Sequence, residues 1–233
     1  AAFFYRTDRQ HPLEAQVDAL KRVTFQTQLG SQHDKSERVR ALVKSITAAI
    51  GGDPTLADRA AVLSKCDLLT HMVGEFPELQ GLMGRYYALH DHEPAEVAEA
   101  LREQYLPRFA GDALPATRTG MALSIADKLD TIAGIFATGQ KPTGTRDPFG
   151  LRRAALGLLR TSIEQRLDLD LQQLISQAVA TARADMARVA TEQSKPLGAI
   201  DAAGLAVEVY DYVLERLRAY YVEGTADITV AVE

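Results

Sequence analysis

Three stretches of the chain carry side chains whose type and spacing could do chemistry. His90-Asp91-His92 is a dense polar cluster of the kind that can hold a divalent metal. Because Glu93-Pro94 follows it, the cluster reads better as the end of one helix and the cap of the next. Asp127, Lys128 and Asp130 lie inside an otherwise apolar run, where an unpaired charge is strongly unfavourable. Two readings stay open there: an internal salt bridge with Lys65 or an arginine, or an aspartate that ligates a metal. Lys141–Arg166 holds Lys141, Arg146, Arg152, Arg153, Arg160 and Arg166 against only Asp147 and Glu164, a local charge of +4 in a chain of net charge −5. Such a cluster can grip phosphates through charge-assisted hydrogen bonds. Its bland alternative is a solvated face, or internal pairing with Glu99, Asp112 or Asp127.

The remaining histidines offer less. His33-Asp34 sits in a Gly/Ser loop where Asp34 reads as a helix cap, His71 beside Met72 and Val73 as a partly exposed helix residue, and His11 before Pro12 as surface. There is no Gly-rich phosphate loop, no Gly-x-Gly-x-x-Gly, no Cys-x-x-Cys or His-Glu-x-x-His, and no Gly-x-Ser-x-Gly elbow. That inventory is thin for an enzyme. The acidic net charge argues against a generic polyanion binder, although a local patch can oppose the global sign.

The elements that must position these residues are helical. With 46% hydrophobic and 24% charged residues and no tryptophan, the 233-residue chain is of ordinary globular composition and must build its core from Leu, Ala, Val and Ile. Helical spacing is predicted over Leu13–Phe25, from Asp34 (with Glu37 as its capping partner) to Ile50, and from Asp53-Pro54 through Leu56, Ala60, Leu63, Cys66 and Asp67 to Met72. Pro77 restarts the pattern through Leu79, Leu82, Met83, Tyr86 and Tyr87 toward Leu89, and Pro94 opens another helix. Pro107–Thr119 is irregular, Met121–Phe136 is a buried helix, and Gly139–Pro148 is a basic loop. Phe149–Leu167, Leu171–Val189 and Gly204–Tyr221 complete the helices, with Ala190–Ala199 as the linker candidate. No alternation is long enough for a sheet, so the predicted class is all-α. Cys66 is the single cysteine, no apolar run approaches a membrane span, and no signal segment opens the chain, which together suggest a cytoplasmic protein with no membrane partner. The chain opens at Ala1 without methionine and stops within Asp227–Glu233, so both ends are expected to be cuts in a longer protein.

Four segments carry a resemblance. Phe25–Arg38 (FQTQLGSQHDKSER), Leu63–Tyr87 (LSKCDLLTHMVGEFPELQGLMGRYY), Tyr105–Pro115 (YLPRFAGDALP) and Ile125–Leu159 (IADKLDTIAGIFATGQKPTGTRDPFGLRRAALGLL) resemble the bacterial glycyl-tRNA synthetase beta subunit, in that family's order and spacing. The resemblance implies part of a subunit of an aminoacyl-tRNA synthetase, the glycine–tRNA ligase. Its alpha subunit would hold the catalytic core with ATP and magnesium, and this fragment would hold no cofactor. The implied partners are the alpha subunit, the rest of the beta subunit and tRNA(Gly). It also implies an HD-like helical bundle followed by further helices. On that reading residues 1–30 are an opening segment and first helix, 31–189 the HD-like domain, and 190–233 a linker and C-terminal helical segment. HD phosphohydrolases hold metals with an early His, a His-Asp dyad and a later Asp. Here the resemblance places Cys66-Asp67 at the dyad and Asp127 at the later position, with no early His in Ser36–Ile50. Two aspartates and a thiol suit hard metals poorly, so the hydrolase chemistry is expected to be lost, with neither catalytic nor metal-binding residues remaining.

Three expectations follow. In the first, a non-catalytic module supports subunit assembly and meets tRNA(Gly) phosphates through Lys141, Arg146, Arg152 and Arg153. In the second, a metal-dependent HD-type phosphohydrolase acts on nucleotides at Asp67 and Asp127. In the third, the helices are a pure spacer, with Arg152 and Arg153 both paired to carboxylates inside the domain.

Overall fold

The computed structural model describes residues 1–196, 198 and 201–224. Ten α-helices occur among them: α1 (Ala2–Asp8), α2 (Gln32–Ile50), α3 (Pro54–Leu63), α4 (His71–Glu75), α5 (Leu82–His90), α6 (Ala95–Glu103), α7 (Arg118–Ala137), α8 (Leu151–Glu164), α9 (Leu171–Glu192) and α10 (Ala202–Gly224). Short 3-10 turns cover Leu13–Gln16, Asp18–Arg22, Cys66–Leu69 and Pro77–Leu79. Strands β1 (Thr24–Gln26) and β2 (Gly30–Ser31) form one antiparallel hairpin. The fold is all-α. No helix among the described residues is long and apolar enough to cross a membrane.

The chain is organised around α7. Seventeen of its residues are buried, Leu123, Ile125, Leu129, Ile132 and Ile135 completely, and α2, α3, α6, α8, α9 and α10 all pack on it. A helix apolar on every side must be surrounded on every side. One contiguous core runs from Leu13 to Val213, in which α10 contributes Leu205, Val209 and Val213 at four-residue intervals.

The predicted helix over Leu13–Phe25 is not formed. Two 3-10 turns and β1 take its place, because Leu13 and Leu20 are anchored separately in the core and the Leu13 N–H donates to the Asp91 carboxylate at 2.6 Å. An isolated stretch of that length has little helical stability of its own, so tertiary contacts decide it. The cap of α2 is Ser31 rather than Asp34. The Ser31 backbone is extended, its hydroxyl accepts from the Asp34 N–H, and the Asp34 carboxylate accepts from the Ser31 N–H in return. Asp53 and Pro54 open α3 as predicted, with the Asp53 carboxylate accepting from the Thr55 and Leu56 N–H groups. The helix does not continue to Met72; it ends at Leu63, and a 3-10 turn precedes α4. On α5, Met83, Gly84, Tyr87 and Ala88 face inward, while Tyr86 and Leu89 are exposed. Helix α9 extends to Glu192, so the predicted linker is shortened at its start. The residues of that linker at 197 and 199, like Asp227–Glu233, lie outside the described residues.

Candidate functional site

Helix α7 carries Asp127 and Asp130 one turn apart, and α2 carries Lys35 and Arg38 at the same spacing on the face that packs against it. Asp130, fully buried, accepts from Arg38 Nε at 2.7 Å and from Lys35 Nζ at 3.0 Å. Arg38 also reaches Asp185 of α9 at 2.6 Å and the Leu29 carbonyl at 3.0 Å. Asp127 lies 2.9 Å from Lys65 Nζ and 3.4 Å from Lys35 Nζ. Of the two readings of this acidic triplet, the structure has the internal salt bridge, with Lys65 as one partner. Burial alone would raise the Asp127 pKa, but the charges of Lys35, Lys65 and Lys128 hold its carboxyl far below the usual range.

Asp67 is committed elsewhere. Its Oδ2 accepts from the Gly81 N–H at 2.5 Å and the Gly84 N–H at 3.0 Å, which caps the start of α5 from outside that helix. Burial pushes its pKa up despite those bonds. Gly81 adopts φ +79°, and a Cβ added there would meet the Tyr105 ring at 2.5 Å. The Lys65 ammonium sits over the same ring, 4.8 Å from its centre.

The metal of an HD hydrolase does not fit these residues. The Cys66 thiol is buried, and burial, followed by the Asp67 charge, pushes its pKa up to about 12, so it stays a poor ligand. Asp67 spends an oxygen on two backbone N–H groups, and the ammonium groups beside Asp127 repel a divalent cation from it. No group of three potential ligands gathers among the described residues.

Lys128 points the other way from α7, and its ammonium donates to the Gln104 carbonyl, the Leu106 carbonyl and Ser124 Oγ. Burial lowers its pKa from 10.5 to about 7, against the opposing pull of Asp127. Between those values the unfolded chain binds a proton that the folded chain has released. The Lys128 contribution to stability is therefore expected to rise with pH from about 7 to 10.5. Denaturation of wild type and Lys128→Met across that window checks this: the difference between them should change with pH, and a constant difference would refute it.

The basic stretch is split by the fold. Arg146 and Arg153 are exposed, with no carboxylate partner among the described residues; Arg152 donates to the Gly144 carbonyl, and Lys141 pairs with Glu208 of α10. Arg160 pairs with Glu164 at 2.8 Å. The expected spacer arrangement, both Arg152 and Arg153 on carboxylates, is thus not what the side chains do. Three hollows carry these cations. One of about 680 Å³ is lined by Lys141 and Arg146, one of about 700 Å³ by Arg108, Lys128 and Arg153, and one of about 490 Å³ by Arg152, Arg153, Arg160 and Arg216. Phe149 belongs to the first two and Arg153 to the last two, so they join into one groove. Asp127 is among the residues that line the middle hollow.

Arg108, Arg216 and Phe149 were not foreseen as groove residues. The only sequence signal for the first was its pairing with Phe109 in a Pro/Gly-flanked loop; Arg216 gave none, since its place depends on α10 folding back onto α8. His90-Asp91-His92 serves the end of α5, where Asp91 is the C-terminal cap, bonded to His90 and to the Leu13 N–H, but it does not cap the next helix: the N-cap of α6 is Pro94, with no side-chain cap hydrogen bond. His71 opens α4 exposed, its Nδ1 2.7 Å from Asp8.

What this geometry defines is an all-helical unit whose acidic centre is closed by lysines and whose unpaired arginines line an open groove. A family model described as glycyl-tRNA synthetase beta subunit matches residues 1–232. Glycine–tRNA ligase beta subunits are similar throughout: 52% identity over 229 residues in Pseudomonas putida (strain W619), 51% over 233 residues in Chromohalobacter salexigens, and 52% over 223 residues in Marinobacter nauticus. These alignments cover 98%, 100% and 96% of this chain but 31%, 31% and 30% of the relatives, so the chain spans about a third of their length. The chain belongs to the glycyl-tRNA synthetase beta-subunit family.

Proposed function

We propose that the chain is a non-catalytic part of the beta subunit of a two-subunit glycine–tRNA ligase, that its groove docks tRNA(Gly), and that it helps hold the assembly together. ATP and magnesium would act in the alpha subunit. The observation that carries this reading is the state of the groove's arginines. Whereas the buried Arg38, Lys35 and Lys65 are matched to carboxylates, Arg146 and Arg153 stand exposed without one among the described residues, and Arg152 donates to a carbonyl. Side chains so placed are available to phosphate oxygens. The framework is read as HD-type, with lysines standing where a metal would have been held. The phosphohydrolase alternative has those ammonium groups against it.

The test uses the complete two-subunit enzyme. Arg152→Glu with Arg153→Glu is expected to weaken tRNA binding roughly 10- to 100-fold and to lower the salt slope of log K by about 2. Fluorescence anisotropy over a range of salt concentrations reads both. Unchanged affinity and an unchanged slope would remove the groove from the tRNA path.

A further inference from the structure

Phe149 lines both the cleft of about 700 Å³ and the adjoining hollow of about 680 Å³, with basic side chains beside it in each. Phe149 is 39% exposed and Phe109 58% exposed. Phe149 lines the cleft beside Arg153, and Phe109 shares the small recess under Arg153 with Leu156 and Gly157. The Arg153 guanidinium, without a carboxylate partner among the described residues, therefore stands with an exposed ring in two of the three hollows it lines. Both rings are held in place. Asp147 fixes the turn that carries Phe149 by accepting from the Leu151 and Arg152 N–H groups, and Arg108 and Asp112 brace the loop that carries Phe109.

Double-helical RNA has little use for such rings. It offers phosphates to a basic face and keeps its bases stacked inside. Unpaired nucleotides expose a π-face, and aromatic side chains beside cations are how sequence-tolerant sites hold them. The cleft lies within the range of about 300–1,000 Å³ usual for sites of small-molecule size. The start of α8 is a poor place for the phosphate, because the Asp147 carboxylate already accepts from the Leu151 and Arg152 N–H groups and brings its own negative charge there. The phosphate is better placed on arginine. Of the polar side chains that line the cleft, Lys128 and the Gln104 amide donate to internal carbonyls and are not turned toward a base edge.

We infer that the middle of the groove takes a single-stranded stretch of RNA, with an unpaired base stacked on Phe149 and its phosphate on Arg153, and with little preference for sequence. This rests on the RNA-docking reading above and narrows it. The test measures anisotropy of labelled eight-nucleotide single strands (oligo-A, oligo-U and oligo-C) and of a fully paired hairpin on the complete two-subunit enzyme, with tRNA alongside. Single strands of all three compositions are expected to bind within a few-fold of one another and more tightly than the hairpin. Phe149→Leu keeps apolar bulk without a π-face and is expected to weaken single strands roughly 5- to 100-fold at an unchanged salt slope, while Phe149→Trp retains them. Equal binding of hairpin and single strands, or indifference to Phe149→Leu, would overturn the inference. If tRNA still responds to Arg152→Glu with Arg153→Glu in that case, the docking groove stands and only its single-strand character falls; if neither responds, both fall.

Discussion

Replacing Asp130 by alanine is expected to cost about 3–5 kcal/mol of folding stability. The side chain is fully buried and holds two cations, Arg38 at 2.7 Å and Lys35 at 3.0 Å, that have themselves lost almost all contact with water. Removing it leaves Arg38 with Asp185 and the Leu29 carbonyl, and Lys35 with Asp127 and Thr131. Neither set neutralises both cations where Asp130 stood. The cost is one of stranded charge rather than of lost contact, and that distinction can be measured. In a cycle with Arg38→Met, the double variant Arg38→Met with Asp130→Leu should lose clearly less than the two single variants added together, since it buries no orphan. Urea denaturation with an unchanged m value gives all four corners. A loss at Asp130→Ala below about 1 kcal/mol would mean that water reaches the site and that the cluster is not sealed.

The same cluster shows how far the sequence can be read. Two aspartates in an apolar run announce that counter-charges must exist, and Lys35 and Arg38 repeat the three-residue spacing on an inward face shared with Val39 and Leu42. The need was legible. The choice of partners was less so, because Lys35 is 95 residues from Asp130 and only the packing of α2 on α7 brings them together. Helix ends written in local chemistry, such as Asp53-Pro54 and Gly51 with its left-handed φ of +68°, could be read directly. Stretches such as Leu13–Arg22, whose conformation depends on distant anchors like Asp91, could not. The groove was half legible. Its basic residues stand together in the sequence, but Phe149 looked like the first turn of an amphipathic helix. Its exposure follows from Gly150 turning the chain at φ +66° before α8 begins.

Asp127→Asn is expected to cost about 3 kcal/mol near neutral pH, and its pH dependence tells what the carboxylate is for. The substitution keeps the shape and removes the charge that faces Lys35, Lys65 and Lys128. Lys35 retains Asp130, whereas Lys65 is left with neutral partners, the Gln104 side-chain oxygen and the Tyr105 ring, among the described residues. The unfolded carboxyl titrates near 3.8 and the folded one well below it, so folding favours the ionised form. Its contribution is complete above about pH 4 and is lost as pH falls through the folded value. Wild type should therefore exceed Asp127→Asn at pH 5, the margin should shrink on acidification below about pH 4, and it should narrow toward pH 7 as the Lys128 proton that Asp127 helps to hold is lost. A carboxylate kept to bind a divalent cation would behave in the opposite way. It would sit among like charges, its removal would relieve repulsion, and the variant would be the more stable of the two at neutral pH in the presence of a chelator. Denaturation midpoints with and without chelator, at pH 3, 5 and 7, separate the two cases.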